Sequence, residues 1–321
     1  MKKKLLILFV LSLLLNLSKT IDESLNKSSV SKLIEMVRED IIDKSLLYLP
    51  KINEVNILQM CNQMSTVKEK YLLSDIESAY LVFKWITQNI QTYLYKEEGL
   101  DDPIGVYTSG KASPKGVSSL FNLICGFWNI KTDSISGYLK LFNIYEADIE
   151  IKKNYTWNYI EIDGEYFLID LGMAYDLKVS NFLDYIYVYF GTDPEIFIRL
   201  HFPNESKWQL LSKTYTFEKF ESMAFLNPFF YLLGFKAISP DINILNGRGE
   251  IKMTSDKSIP EYQILYCEFD KEEELLYHID GGDGIDGIIK AFYDTEYNKL
   301  AMINLKFTYA QLHIPFFPII Y

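Results

Sequence analysis

Apolar residues recur at three- and four-residue spacing through the first third of the chain and alternate with polar ones through the last third. Ser31, Leu33, Ile34, Val37, Ile41, Ile42, Leu46 and Leu47 fall on one stripe, which predicts an amphipathic helix. Ser74-Asp75-Ile76-Glu77 has the form of a capping box and opens a second helix, whose apolar face carries Tyr80, Val82, Phe83, Ile86 and Ile90. The helical pattern as a whole runs from Glu23 to about Tyr93. A further helix is expected from Lys115 to about Phe127, behind a loop of small residues. Strands are expected at Ser134–Leu139, Trp157–Ile162 and Tyr166–Ile169, the last two joined by the hairpin signal Asp163-Gly164.

From Ile238 onward, segments 242–245, 249–253, 262–266, 288–293 and 300–307 read as short strands between turn residues. The fold class is therefore α+β: helices packed on an antiparallel sheet, followed by an all-β region whose spacing suggests a small immunoglobulin-like sandwich. The expected divisions are 1–20, 21–235 and 236–321.

The first division changes the picture of where the chain acts. Lys2-Lys3-Lys4 precede an apolar run from Leu5 to Leu15, too short to cross a bilayer core of about 30 Å comfortably, which predicts a signal peptide, with a retained signal anchor as the alternative. A secreted or secretory-lumen protein is expected, with no membrane contact once the signal is removed. Asn26-Lys27-Ser28, Asn154-Tyr155-Thr156 and Asn204-Glu205-Ser206 are glycan acceptor sequons, used only on that route. The three cysteines, Cys61, Cys125 and Cys267, allow at most one internal bridge. A formal charge of −11 with no basic stripe argues against nucleic acid as a partner.

The candidate chemistry lies between Gly110 and Asp170. Lys115-Gly116-Val117-Ser118-Ser119-Leu120-Phe121 follows the small-residue loop, Tyr155-Thr156-Trp157-Asn158 lies on a predicted strand, and Leu168-Ile169-Asp170 closes the next. These segments resemble the transglutaminase-like superfamily, in the branch that includes the kyphoscoliosis peptidase. That branch carries Gly-Lys-Gly-x-Cys-x-Gly-Tyr-(Ala/Ser)-x-Leu-Phe, then His-Ala-Trp-Asn, then (Ile/Leu)-Asp. The helix Ala79–Ile90, with Phe83-Lys84-Trp85-Ile86 and Asn89-Ile90, resembles the family helix ahead of the nucleophile loop. Phe190-Gly191-Thr192-Asp193-Pro194, His201-Phe202-Pro203 and Lys207-Trp208 extend the resemblance, which covers about residues 70 to 235. It implies a papain-like arrangement of cysteine, histidine and aspartate.

Placed on that frame, the nucleophile position falls on Pro114, the histidine position on Tyr155, and the aspartate is kept as Asp170. Proline has no nucleophilic atom, and a phenol of pKa about 10 cannot serve as a base at neutral pH. Ser113, beside the vacated position, reads as the cap of the following helix, Cys125 as a core thiol and Trp85 as core packing. His201, His278 and His313 lie downstream of the strand that should supply a base, with His201 assigned to structure. The acidic loop Lys96–Pro103 reads as a solvated connection. Asp280-Gly281-Gly282-Asp283-Gly284-Ile285-Asp286-Gly287 reads as a turn, since it lacks the ligand spacing of a calcium loop. No metal and no cofactor are expected. The chain is read as a catalytically inactive member of the family that binds a protein partner. The alternative is an active cysteine-peptidase-like hydrolase or glutamine acyltransferase with a non-standard nucleophile.

Overall fold

Local capping chemistry sets the helices at the start of the described chain. The computed structural model describes residues 27–94, 99–143, 148–180, 183–226, 228–232 and 234–243, and carries strands at 248–255, 262–269, 275–280, 288–294, 300–307 and 313–318. The leader, the Asn26 sequon, residues 96–98 of the acidic loop and the Asp/Gly turn at 281–287 lie outside the described residues, as do the side chains of Cys267, His278 and His313.

Helix α1, Glu39–Leu46, is followed by α2, Ile57–Tyr71, and α3, Asp75–Asn89. Asn56 opens α2 with a capping box, its side chain accepting from the Gln59 amide at 2.9 Å while Gln59 returns the bond to the Asn56 amide at 3.0 Å. Ser74 and Glu77 do the same for α3, as the sequence predicts. The stripe from Ser31 to Leu47 becomes α-helical only from Glu39, after a single 3-10 turn at Ile34–Met36. Ser31 Oγ donates to the Phe190 carbonyl at 2.5 Å and the Lys32 amide to Gly191 at 3.0 Å, so the backbone at these two residues pairs with a sheet edge.

Short parallel strands β1, Gln91–Thr92, and β2, Lys111–Ala112, flank α4, Pro103–Ser109, and lead to α5, Pro114–Gly126. The central sheet follows: β3, Lys131–Asn143; β4, Asp148–Ile162; β5, Glu165–Ile169; β6, Phe190–Thr192; and β7, His201–Pro203. Its order is β6-β5-β4-β3-β7 and every pairing is antiparallel. Two turns of α6, Leu171–Val179, separate β5 from β6, where the sequence suggested only a strand end. Strand β4 starts nine residues before its expected edge at Trp157, an extension that the polar run Lys152-Lys153-Asn154 hid in the sequence. At Asn154 the backbone turns left-handed (φ 57°) and the β3–β4 register shifts.

The core joins these layers. Helix α3 is buried on nearly every side through Tyr80, Phe83, Trp85 and Ile86, and each such side chain contributes roughly 1.5–3 kcal/mol. Trp85 is core as expected, with its indole N–H donating to the Pro50 carbonyl at 2.9 Å. Gly137 lets β7 approach β3: a Cβ there would run into the Phe202 carbonyl and the Trp157 ring. Short helices α7, Pro194–Phe197, α8, Phe217–Ser222, and α9, Pro228–Leu232, complete the helical set. The chain ends in seven further strands: β8, Phe235–Ser239; β9, Arg248–Ser255; β10, Tyr262–Phe269; β11, Leu275–Asp280; β12, Ile288–Asp294; β13, Leu300–Phe307; and β14, His313–Pro318. These form two antiparallel sheets of order β12-β9-β8 and β11-β10-β13-β14. Mixed helix and antiparallel sheet is the α+β class expected.

Candidate functional site

Three segments that the sequence singles out meet around the start of α5 and the middle of β4. Ser113 caps α5, accepting from the Gly116 amide at 3.0 Å, and Pro114 takes the first helical position, where its missing N–H costs nothing. The Ser113 hydroxyl donates to Asp101 Oδ1 at 2.5 Å, and Lys115 reaches Asp101 Oδ2 at 3.1 Å. Those partners hold the Asp101 carboxyl below its ordinary range, the serine bond first. The acidic loop is thus a tie to the helix start as well as a connection.

Helix α5 runs along β4. Asn158 Nδ2 donates to the Ser118 carbonyl at 3.1 Å and to Asn122 Oδ1 at 2.8 Å, and Ser118 Oγ lies 3.4 Å from the Trp157 carbonyl. Pro114 lies one turn before Ser118, and Tyr155 two residues before Trp157.

Tyr155 is fully buried and turns its hydroxyl to Asp170, at 2.8 Å from Oδ1 and 3.0 Å from Oδ2. Burial pushes the phenol well above its ordinary value, and the adjacent carboxylate adds to the effect. Asp170 also caps α6 by accepting from the Met173 amide at 3.0 Å. Gly172 leaves room for the phenol, since a Cβ there would collide with the Tyr155 hydroxyl. One turn along α6, burial and the Asp170 charge raise Asp176 to about 6.

His201 completes the cluster. It is 1% exposed, donates through Nε2 to Asp170 Oδ2 at 2.6 Å, and places Nδ1 at 3.3 Å from the Phe197 carbonyl. Its ring stacks on Phe197 at 3.8 Å and meets Trp157 edge-on at 5.2 Å. Sequence reading assigns His201 to structure but does not place it beside Tyr155 and Asp170. The pairing of β7 against β3 brings it there, and no local period announces that. Among the described residues His201 bonds to neither a serine hydroxyl nor a thiol. Cys125 is fully buried, its thiol pushed up by desolvation, and Cys61 is buried and free.

The hydroxyl, the carboxylate and the imidazole thus satisfy one another away from solvent. Such an arrangement can hold three elements in place.

No family model matches the chain. It is 26% identical over 196 residues to the kyphoscoliosis peptidase of Mus musculus, a match covering 57% of this chain and 29% of that protein. The Homo sapiens kyphoscoliosis peptidase is 24% identical over 194 residues, with the same coverage. A LIM and transglutaminase domain protein of Caenorhabditis elegans is 24% identical over 251 residues, 73% of this chain and 32% of that protein.

These similarities support a transglutaminase-like branch.

The chain spans about a third or less of the length of the relatives it matches.

Proposed function

We propose that this chain is a catalytically silent transglutaminase-like protein, carried through the secretory pathway, whose core serves to bind or hold another protein. The observation that carries the reading is the closed Tyr155–Asp170–His201 cluster, in which the one described imidazole near the frame is bonded to Asp170 and to a backbone carbonyl. Acyl transfer and thiol proteolysis need a nucleophile in hydrogen-bond reach of a base. At the first position of α5 stands a proline, and the neighbouring Ser113 gives its proton to Asp101.

The test compares wild type with the Pro114→Cys/Tyr155→His variant. Wild type is expected to incorporate no fluorescent primary amine into a glutamine-containing protein and to hydrolyse no peptide. The variant is expected to gain a thiol that iodoacetamide alkylates rapidly at neutral pH, with a bell-shaped or sigmoidal pH profile set by the new histidine. Turnover by wild type overturns the reading. For the secretory route, Asn154 is exposed while the following Tyr155 and Thr156 are buried. Expression in a secreting eukaryotic host is expected to give a glycosidase-sensitive mobility shift that Asn154→Gln removes, and unshifted protein with full entry into the lumen counts against use of that sequon.

A further inference from the structure

We propose that the adjoining ends of α1 and α2 form a tip that seats on a phospholipid surface through Leu47, Tyr48 and Leu72, with Lys70 at the headgroup level. The tip shares no residue with the Tyr155 cluster, and its case does not depend on whether that cluster is silent. It also departs from the expectation that membrane contact ends with the signal peptide.

Large apolar side chains at these helix ends are presented to solvent instead of folded back. Leu47 is 85% exposed, Leu72 83% and Tyr48 57%. The Tyr48 and Tyr71 rings meet at 6.0 Å, which makes the two helix ends one surface. Lys70 lies over both rings, 3.6 Å from the Tyr48 centroid and 5.0 Å from that of Tyr71. Neighbouring cations are neutralised: Arg38 by Glu77, Lys44 by Asp40 and Lys68 by Asp75. Among the described residues Lys70 makes no ion pair, so its charge is available to an incoming anion.

The presentation is fixed, not loose. Leu72 ends α2 in the left-handed conformation (φ 51°, ψ 51°), a position that glycine occupies at lower cost. Arg38 holds the Leu72 carbonyl at 3.1 Å, and the Leu73 amide bonds back to Lys68 at 3.0 Å. The chain thus places a leucine where glycine fits better and points it outward.

Shape and charge select the occupant. At more than four-fifths exposure the two leucines protrude and line no groove, so a protein partner would have to supply the whole concavity. A bilayer accepts protruding aliphatic groups without one, takes tyrosine at its interface, and presents phosphate to lysine. None of the described helices is long and apolar enough to cross a membrane, which matches seating and not spanning.

The experiment is co-sedimentation of the full chain with vesicles of phosphatidylcholine alone and of phosphatidylcholine with phosphatidylserine. The Leu5–Leu15 run adds its own partitioning to every variant, so the comparison is read as a ratio of partition coefficients at lipid concentrations where no variant is saturated. Leu47→Asp/Leu72→Asp is expected to lower partitioning on the order of tenfold or more on both vesicles. Lys70→Glu is expected to lower it several-fold on the serine-lipid vesicles alone. A Tyr48→Trp reporter is expected to shift its emission to the blue when vesicles are added. Unchanged melting temperatures show that the variants are folded. The assignment fails if wild type and the aspartate variant partition equally with no emission shift. It also fails if the aspartates instead abolish self-association in vesicle-free solution, which makes the tip an interface between copies.

Discussion

Lys140 on β3 is fully buried, and replacing it gives the sharpest test of the energetics. Its ammonium donates to the carbonyls of Phe220, Met223 (3.0 Å) and Glu221 (3.5 Å) and lies 4.6 Å from the Phe220 ring centroid, so it closes the end of α8. Burial first, and then the nearby Arg199 charge, lower this lysine from 10.5 to about 7, while Asp241 and Glu221 work in the opposite direction. Between those two values the unfolded chain holds a proton that the folded chain lacks, so stability rises with pH. Below about 7 both states are charged and the folded state bears the full penalty. The slope is about 1.4 kcal/mol per pH unit, which gives roughly 3 kcal/mol between pH 7 and 9.5 as a ceiling. The three carbonyls favour the ammonium and pull the value below that ceiling.

Urea denaturation of wild type and Lys140→Met across this range isolates the effect, because other groups titrate alike in both proteins. Wild type is expected to gain on the variant as pH rises. Parallel stability curves would refute the reasoning and show that the carbonyls keep Lys140 charged throughout.

Tyr155→Phe removes a buried hydroxyl from the Asp170 carboxylate and is expected to cost roughly 1.5–3 kcal/mol by urea denaturation; a loss below 0.5 kcal/mol would mean that the cluster is not cooperative. Burial alone would raise Glu77, but its paired bonds to Arg38 at 2.6 and 2.7 Å and the Ser74 and Arg38 amides hold it down at about 2. The stability from this depressed carboxyl is present above pH 4.5 and is lost as pH falls toward 2, so Glu77→Gln is expected to flatten the acid limb of the stability profile. Leu72→Gly relieves the left-handed backbone and is expected to raise stability by up to about 1 kcal/mol, read as a higher melting temperature, even as it removes a protruding side chain.

Features fixed by neighbours in sequence were legible. Ser74 and Glu77, Ser113 before Pro114, and Asp163-Gly164 each occupy the position that their chemistry predicts. Asn56 and Gln59 form a box of the same kind, which polar surroundings concealed. Ser31 and Lys32 keep the helical period yet pair with Phe190–Thr192, because a hydroxyl and an amide there find sheet partners 159 residues away. The site divides in the same way. Motif spacing singled out Tyr155 and Asp170, which a hydrogen bond joins, whereas His201 reaches Asp170 through the pairing of β7 with β3. Helix α6 was missed because Asp170 read as a strand end, although an Asx cap was available to it.

The cluster also has a mechanical consequence. Asp170 grips β4 through Tyr155, β7 through His201 and α6 through the Met173 amide. Strand β7 lies at an edge of the sheet with only β3 beside it, a place where strands ordinarily peel away first. Here tension applied at Pro203 passes through the imidazole and the carboxylate into a helix on the far side of two other strands. The edge behaves as a riveted seam, and tearing it open demands that three elements let go together.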